Sequence, residues 1–361
     1  MLPHYGFPTA THTYFRALNK YSQKQAFLEG AIEQPTFTYN PHWTLELIQE
    51  RMKVVKNDPA ATKRLKVVET SLRLRENPDA LTAFREANAA IFHAPTKELT
   101  EAIIWRISQN VSEPHKEEWD QVRLLLGSEI TDGLSISPSE DTFQLYRSYL
   151  KCYTTLPAVE DTIKDAFKSQ LDSTGLSKKG WKLRVLKGDE HAHIHHHTQT
   201  ISIGDQYKPR TSTAIRRIVI HEVIGHAIRG PQKELSESEG FAIVLEQLTK
   251  SSFAPRRTYR YLAVALGWGV LGKPMTFREV YEILWRLMVV QSKYPGFEAK
   301  RHAFDECYRA FRGGRPDIAG AVYLRDTVYF DANIRMWAVL DAGKLSYNEF
   351  VDIIEGRRTV L

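Results

Sequence analysis

Over most of the chain, hydrophobic residues recur with helical spacing. Thr44 to Lys56 carries Leu45, Leu47, Ile48 and Met52 in such a pattern. Asp79 to Phe92 does the same with Leu81, Phe84 and Ala90, behind Pro78, a residue suited to a helix start. Further helices are predicted over Lys97–Ile107, over Thr142–Tyr153, and from Pro157 through Val159, Ile163, Phe167 and Leu171. QPTFTYNPHW (Gln34 to Trp43) is bracketed by prolines and predicts extended chain. The period changes after Gly180. KLRVL alternates as a strand ending at Leu186, and HAHIHHHTQTISIG (His191 to Gly204) reads as one or two more strands. Near Thr211 to Thr213, hydroxyls can cap a helix that is apolar nearly all round: Ala214, Ile215, Ile218, Val219, Ile220, Val223 and Ile224. A loop, PQKELSES, leads into a helix over EGFAIVLEQL. More helices are predicted over Tyr259–Leu271, Phe277–Gln291, Glu298–Phe311, Val322–Leu340 and Tyr347–Ile354.

These elements describe an α+β fold, mainly α, with one small sheet just before a core helix. The expected organisation is an extended arm over 1–42, a helical region over 43–155, and a region over 156–361 that forms one compact unit with it. Composition agrees: of 361 residues, 42% are hydrophobic and 25% charged, as in soluble globular proteins. A net charge of +6 is mild for this length, and no basic run with interleaved aromatics points to nucleic acid. Two cysteines, Cys152 and Cys307, make neither a disulfide framework nor a cysteine zinc pattern, so a reducing compartment is expected. The first residues lack the apolar core of a signal peptide. The most apolar stretch, Tyr261 to Gly272, is shorter than the roughly 20 residues that span a bilayer. A cytoplasmic protein with no membrane partner is expected.

The core helix contains HEVIGHAIRG, His221 to Gly230. The zinc-protease pattern H-E-x-x-H has two residues between its Glu and second His, whereas this chain has Val223, Ile224 and Gly225 there. In an α-helix each residue turns about 100°, so residues five apart sit about 140° apart, too far for two imidazoles to share an ion. Either a π-bulge must realign them or the helix must unwind near Gly225, the residue with most backbone freedom. The bulge is the preferred expectation. The alternative is a buried helix with two incidental histidines, but His221, Glu222 and His226 would each then need a partner on an apolar helix.

Catalytic zinc takes three protein ligands and keeps one position open. Candidates for the third are Glu234, Glu237, Glu239 and Glu246. Ser238 could cap a helix beginning at Glu239, which would place that carboxylate in a rigid first turn. Glu246 falls on the same face and could orient a ligand. His191, His193, His195 and His197 alternate, so a strand would put all four on one face, binding a metal, lining a cleft or simply facing solvent.

HEVIGH followed by SEGFA resembles the HExxxH zinc peptidase family that includes the microtubule-associated tyrosine carboxypeptidases. Its bacterial members carry a "QEGLA" motif and are labelled modulators of flavohaemoglobin expression. PTFTYNP (Pro35 to Pro41), CYRAFRGG (Cys307 to Gly314) and AVYLRD (Ala321 to Asp326) are similar to further landmarks of that family, in order along the chain. The resemblance implies a zincin-like helical fold, Zn2+ held by His221, His226 and Glu239, and Glu222 as the catalytic residue. The chain departs from the pattern in its short Arg229–Ser238 connection and in Ala319-Gly320, where the family has Lys-Asp.

The substrate expected from the resemblance is a peptide or protein C-terminus, with an aromatic, tyrosine-like terminal residue. An exopeptidase needs a fixed cation for the terminal carboxylate. Arg309, Arg312 and Arg325 are candidates, because a guanidinium fork binds carboxylate with two hydrogen bonds. Tyr323 is a candidate oxyanion donor, and His195 and His197 could lie beside the substrate. Competing readings are a zinc endopeptidase, a non-catalytic regulatory protein with a retained metal, and a cysteine hydrolase using Cys307. The last is weakened by the helical, apolar setting of Cys307.

Overall fold

The structure, a computed structural model, describes residues 19–39, 42–127, 129–130, 134–154, 162–187, 192–206, 211–230, 235–291, 294–343 and 345–359, with side chains from 237 onward in the 235–291 segment. His191, Glu234 and the helix start predicted at Pro157 lie outside the described residues. Within them the chain is mainly helical, with one three-stranded sheet. No helix among the described residues is long and apolar enough to cross a membrane.

The chain divides into two compact units, each built from segments distant in sequence. One comprises Met1–Ser135 with Arg257–Thr327, the other Ile136–Arg256 with Val328–Leu361. The reason is packing: the helix Phe277–Val290 lies against both Lys116–Leu126 and Gly296–Phe311. Periodicity tells which face of a helix is buried, not which distant segment covers it.

In the first unit, Phe27 sits edge-on to Phe277 and Tyr281, with centroids 5.3 and 4.8 Å apart, and tilts against Phe304. Side-chain caps start its helices at Thr44, Asp58, Thr96 and Thr276. Three helices go beyond those predicted: Lys20–Leu28, Pro59–Glu76 and Lys116–Leu126. Pro59–Glu76 buries Glu69, Thr70 and Ser71 among its apolar residues, which blurs the helical pattern in the sequence.

The helix predicted from Val322 instead begins at Thr327, after a 3₁₀ turn over Leu324–Asp326. The turn delivers Asp326 into a fully buried position, where its carboxylate accepts from Arg309 Nε at 3.1 Å and Arg312 Nη2 at 3.0 Å. Burial alone would raise the Asp326 pKa. Arg309, Arg312 and Arg260 outweigh it and hold the carboxyl far below the usual range.

The second unit surrounds Trp337, Tyr146, Phe143, Phe167, Phe241, Val223 and Ile224, all buried. Its sheet has the order β1 (Lys182–Leu186), β3 (Thr200–Gly204), β2 (Ala192–His195). β1 runs parallel to β3, with Lys182 opposite Thr200. β2 runs antiparallel to it, with His195 opposite Thr200. A 3₁₀ turn over His196–Thr198 and left-handed Gln199 (φ 47°) close the β2–β3 hairpin. Ile201 and Ile203 point into the core, and β2 lies against the helix that carries HEVIGH.

Replacing Asp326 by Asn should cost about 3 kcal/mol, since it leaves two arginines facing a neutral partner. The wild-type contribution is present above the unfolded carboxylate pKa of about 4 and is lost as pH falls below it, because the folded pKa is depressed. Urea unfolding at pH 7 and pH 3 checks both points. Equal stability of variant and wild type at pH 7 refutes the role given to this pair.

Candidate metal centre

Thr211 caps the helix Ser212–Val219, accepting from the Ala214 N–H at 3.1 Å. At Ile220 the helix widens, and Ile220–Ile228 is π-helical over nine residues. Hydrogen bonds in a π-helix run from i to i+5, which brings residues five apart onto one face. His221 and His226 consequently meet, their Nε2 atoms 3.2 Å apart and their ring centroids 4.8 Å apart. The distortion required by the extra residue is present, and it is longer than a single bulge.

Gly225 has a different role from the one expected. It sits inside the π-helix and does not have positive φ. A Cβ at this position would lie 2.6 Å from Ala242 Cβ and 3.0 Å from Ala242 Cα. The glycine is needed for close approach of the helix Leu235–Leu248 and not for backbone freedom. Gly240 repeats the device one helix further on, since its Cβ would meet the Ala332 carbonyl oxygen at 2.8 Å.

That close approach carries Glu239 to the two histidines. Its Oε2 lies 3.5 Å from His221 Nε2 and 3.8 Å from His226 Nε2. Tetrahedral zinc with bonds of about 2.0–2.1 Å sets its donor atoms about 3.3 Å apart. The N, N, O triangle fits that ion in donor type and spacing. Glu222 is half-buried beside it, with a carboxylate oxygen within 4.8 Å of a ring nitrogen of each histidine.

The far nitrogen of each imidazole is also held. His221 Nδ1 is 2.8 Å from Glu246 Oε1, and the other oxygen of Glu246 lies 3.3 Å from both Arg217 Nε and Arg256 Nη2. A carboxylate at Nδ1 favours the tautomer with its proton there and leaves Nε2 to face Glu239. His226 Nδ1 lies 3.0 Å from Ser238 Oγ. Burial lowers the proton affinity of His221, but Glu246, Glu239 and Glu222 outweigh it, and its pKa stands well above the usual imidazole value. Burial dominates at His226 and lowers its pKa to about 4, against the pull of Glu239. The pair therefore combines a site that strongly attracts positive charge with a neutral imidazole whose lone pair is available, which suits a cation.

Several expectations change. Ser238 does not cap a helix at Glu239, because the helix begins at Leu235; it holds His226 instead. Glu237 is not in a solvated loop. It is buried, and it pairs with Arg229, whose guanidinium also donates to the Glu237 carbonyl at 3.2 Å. β2 ends at His195, so His197 leaves the strand face and sits in the 3₁₀ turn. His193 and His195 remain paired on β2, with ring centroids 6.4 Å apart. Burial lowers the His195 pKa, helped by His193 and Arg184. His196, not singled out in the sequence, lies near enough that its protonated form would oppose protonation of His226, and burial lowers its own pKa.

Arg309, Arg312, Tyr323 and Arg325 belong to the first unit. Arg309 and Arg312 both engage Asp326, and Arg312 lies over the buried Tyr323 ring, 5.6 Å from its centroid. Cys307 is buried in the same unit, and burial raises its pKa well above the usual thiol value, which suits a packed thiol rather than a nucleophile.

Comparison with known proteins gives no match to a family model, a curated protein or a solved structure.

Gly225→Ala should force the π-helix and the Leu235–Leu248 helix apart and destabilise the protein by about 1–3 kcal/mol. Denaturant titration measures it. Unchanged stability shows that this close approach does not hold the helices together.

Proposed function

We propose that the chain is a zinc-dependent peptidase of zincin-like arrangement that removes a C-terminal residue from a peptide or protein. The observation that carries the metal reading is the triangle of His221, His226 and Glu239, brought together by the π-helix Ile220–Ile228 and the close approach of the helix Leu235–Leu248. The preference for a chain end rests on the resemblance of HEVIGH, SEGFA and the flanking landmarks to the HExxxH peptidases.

Zinc held by these three residues would supply Lewis acidity towards a peptide carbonyl and lower the pKa of a water. Glu222 would take a proton from water at a carboxylate oxygen and pass it to the leaving amine. Its half-buried position beside the two histidines supports that role. Glu246, clamped between Arg217 and Arg256, fixes the ring of His221, and Ser238 fixes that of His226.

Glu222→Gln should lower peptide hydrolysis at least about 100-fold while metal content, read by plasma mass spectrometry, stays at the wild-type level. His221→Ala should lose the metal. Undiminished hydrolysis in Glu222→Gln, or full metal occupancy in His221→Ala, sinks this reading. Comparing a peptide with a free C-terminus and the same peptide amidated separates exopeptidase from endopeptidase, since equal cleavage of both favours the latter.

Glu246→Gln tests the outer partner. Metal affinity should fall about 10–100-fold in a competition titration with a chromogenic chelator. An unaltered affinity would show that Glu246 serves packing alone.

A further inference from the structure

Among the described residues, the segment around Phe37 is hydrogen-bonded along one edge only. The side-chain amide of Asn19 donates to the Thr36 carbonyl at 2.7 Å and accepts from the Thr38 N–H at 3.1 Å. In a parallel ladder the N–H and C=O of one residue span residues i and i+2 of the neighbouring strand in the same way. Gln23 Oε1 accepts from the Thr36 N–H at 2.9 Å. Both backbone groups of Thr36 and the N–H of Thr38 are thus spent on the helix Lys20–Leu28 and its cap. In extended chain the backbone groups of the residue between them point the opposite way. Among the described residues, the Phe37 N–H and C=O have no hydrogen-bond partner.

This edge is rigid. The Phe37 ring stands edge-on against Tyr308, with centroids 4.6 Å apart, and the Tyr39 hydroxyl accepts from the Gly313 N–H at 2.6 Å. A cavity of about 420 Å³ opens beside it, lined among others by Pro35, Phe37, Tyr39, Arg75, Arg315 and Pro316. Arg315 is paired with Asp317. Arg75 lies over the Tyr39 ring, 4.9 Å from its centroid, and pairs with no carboxylate among the described residues. Among the described residues, a guanidinium stacked on an aromatic ring therefore stands beside backbone groups of Phe37 that are unpaired.

We propose that this edge binds an extended peptide segment by strand addition, with an acidic side chain of the peptide paired to Arg75. The backbone groups of Phe37 supply the ladder contacts, and Arg75 supplies the charge preference. The surface lies wholly within the first unit, whereas His221, His226 and Glu239 belong to the second. The proposal does not depend on the peptidase reading.

The test uses the full chain and a fluorescein-labelled octapeptide of alternating valine and threonine with one central glutamate, blocked at both ends. Saturable anisotropy with a Kd tighter than about 1 mM is expected. Binding should weaken at least tenfold for the peptide with glutamine in place of glutamate, for the peptide N-methylated at its backbone amides, and for Arg75→Gln. Arg75 is exposed, and circular dichroism verifies that the variant folds. Excess EDTA should leave binding unchanged. Absence of saturable binding, indifference to N-methylation or to Arg75→Gln, or loss of binding with EDTA each overturns the proposal; the last would place the peptide at the metal centre.

Discussion

The second unit depends on the contact between Gly225 and Ala242. Two helices can approach this closely only where one side chain is absent and the other is a methyl group. The approach places Glu239 opposite the widened turn, and Glu246, two turns later on the same helix, behind His221. Gly240 lets the same helix press on Ala332 from its other side. The helix bearing both carboxylates is thus fixed between two neighbours by missing side chains.

Around that contact, the charges have a consistent order. Glu246 is buried and would be costly alone. Arg217, Arg256 and His221 surround it, so its charge is compensated and transmitted to one imidazole. Glu237, only two residues before Glu239, faces another way and neutralises the buried Arg229. About half a turn of helix therefore separates a carboxylate that balances an internal cation from one that faces the histidines. A similar balance holds in the first unit, where Asp326 collects Arg309 and Arg312. Those two arginines, read from the sequence as groups for a substrate, have an internal carboxylate as their immediate partner.

Much of this was legible in the residues. The spacing of His221 and His226 is incompatible with a shared ion on a regular helix, and that geometric conflict required the distortion that is found. The strands at Lys182–Leu186 and Thr200–Gly204 followed from alternation, and the cap at Thr211 from its hydroxyl. Glu246 was legible as a residue sharing a face with Glu239. Less legible were the helix Pro59–Glu76, whose buried polar residues mask its period, and the end of β2 at His195, because alternating histidines look the same in a strand and in the turn that follows. Ser238 carried a capping signal that the longer helix made irrelevant.

The sequence by itself determined the local constraints: where helices and strands form, that the HEVIGH helix cannot run regularly and still bring its histidines together, and which carboxylates are available nearby. Tertiary structure decided which carboxylate faces the histidines, why residue 225 is glycine, and how the chain divides into two units. The physical reason is range. Periodicity, capping and residue-per-turn geometry act within a few positions of the chain. The distance from Glu239 to His221, or from Asn19 to Thr36, is set by packing between segments that no local pattern connects.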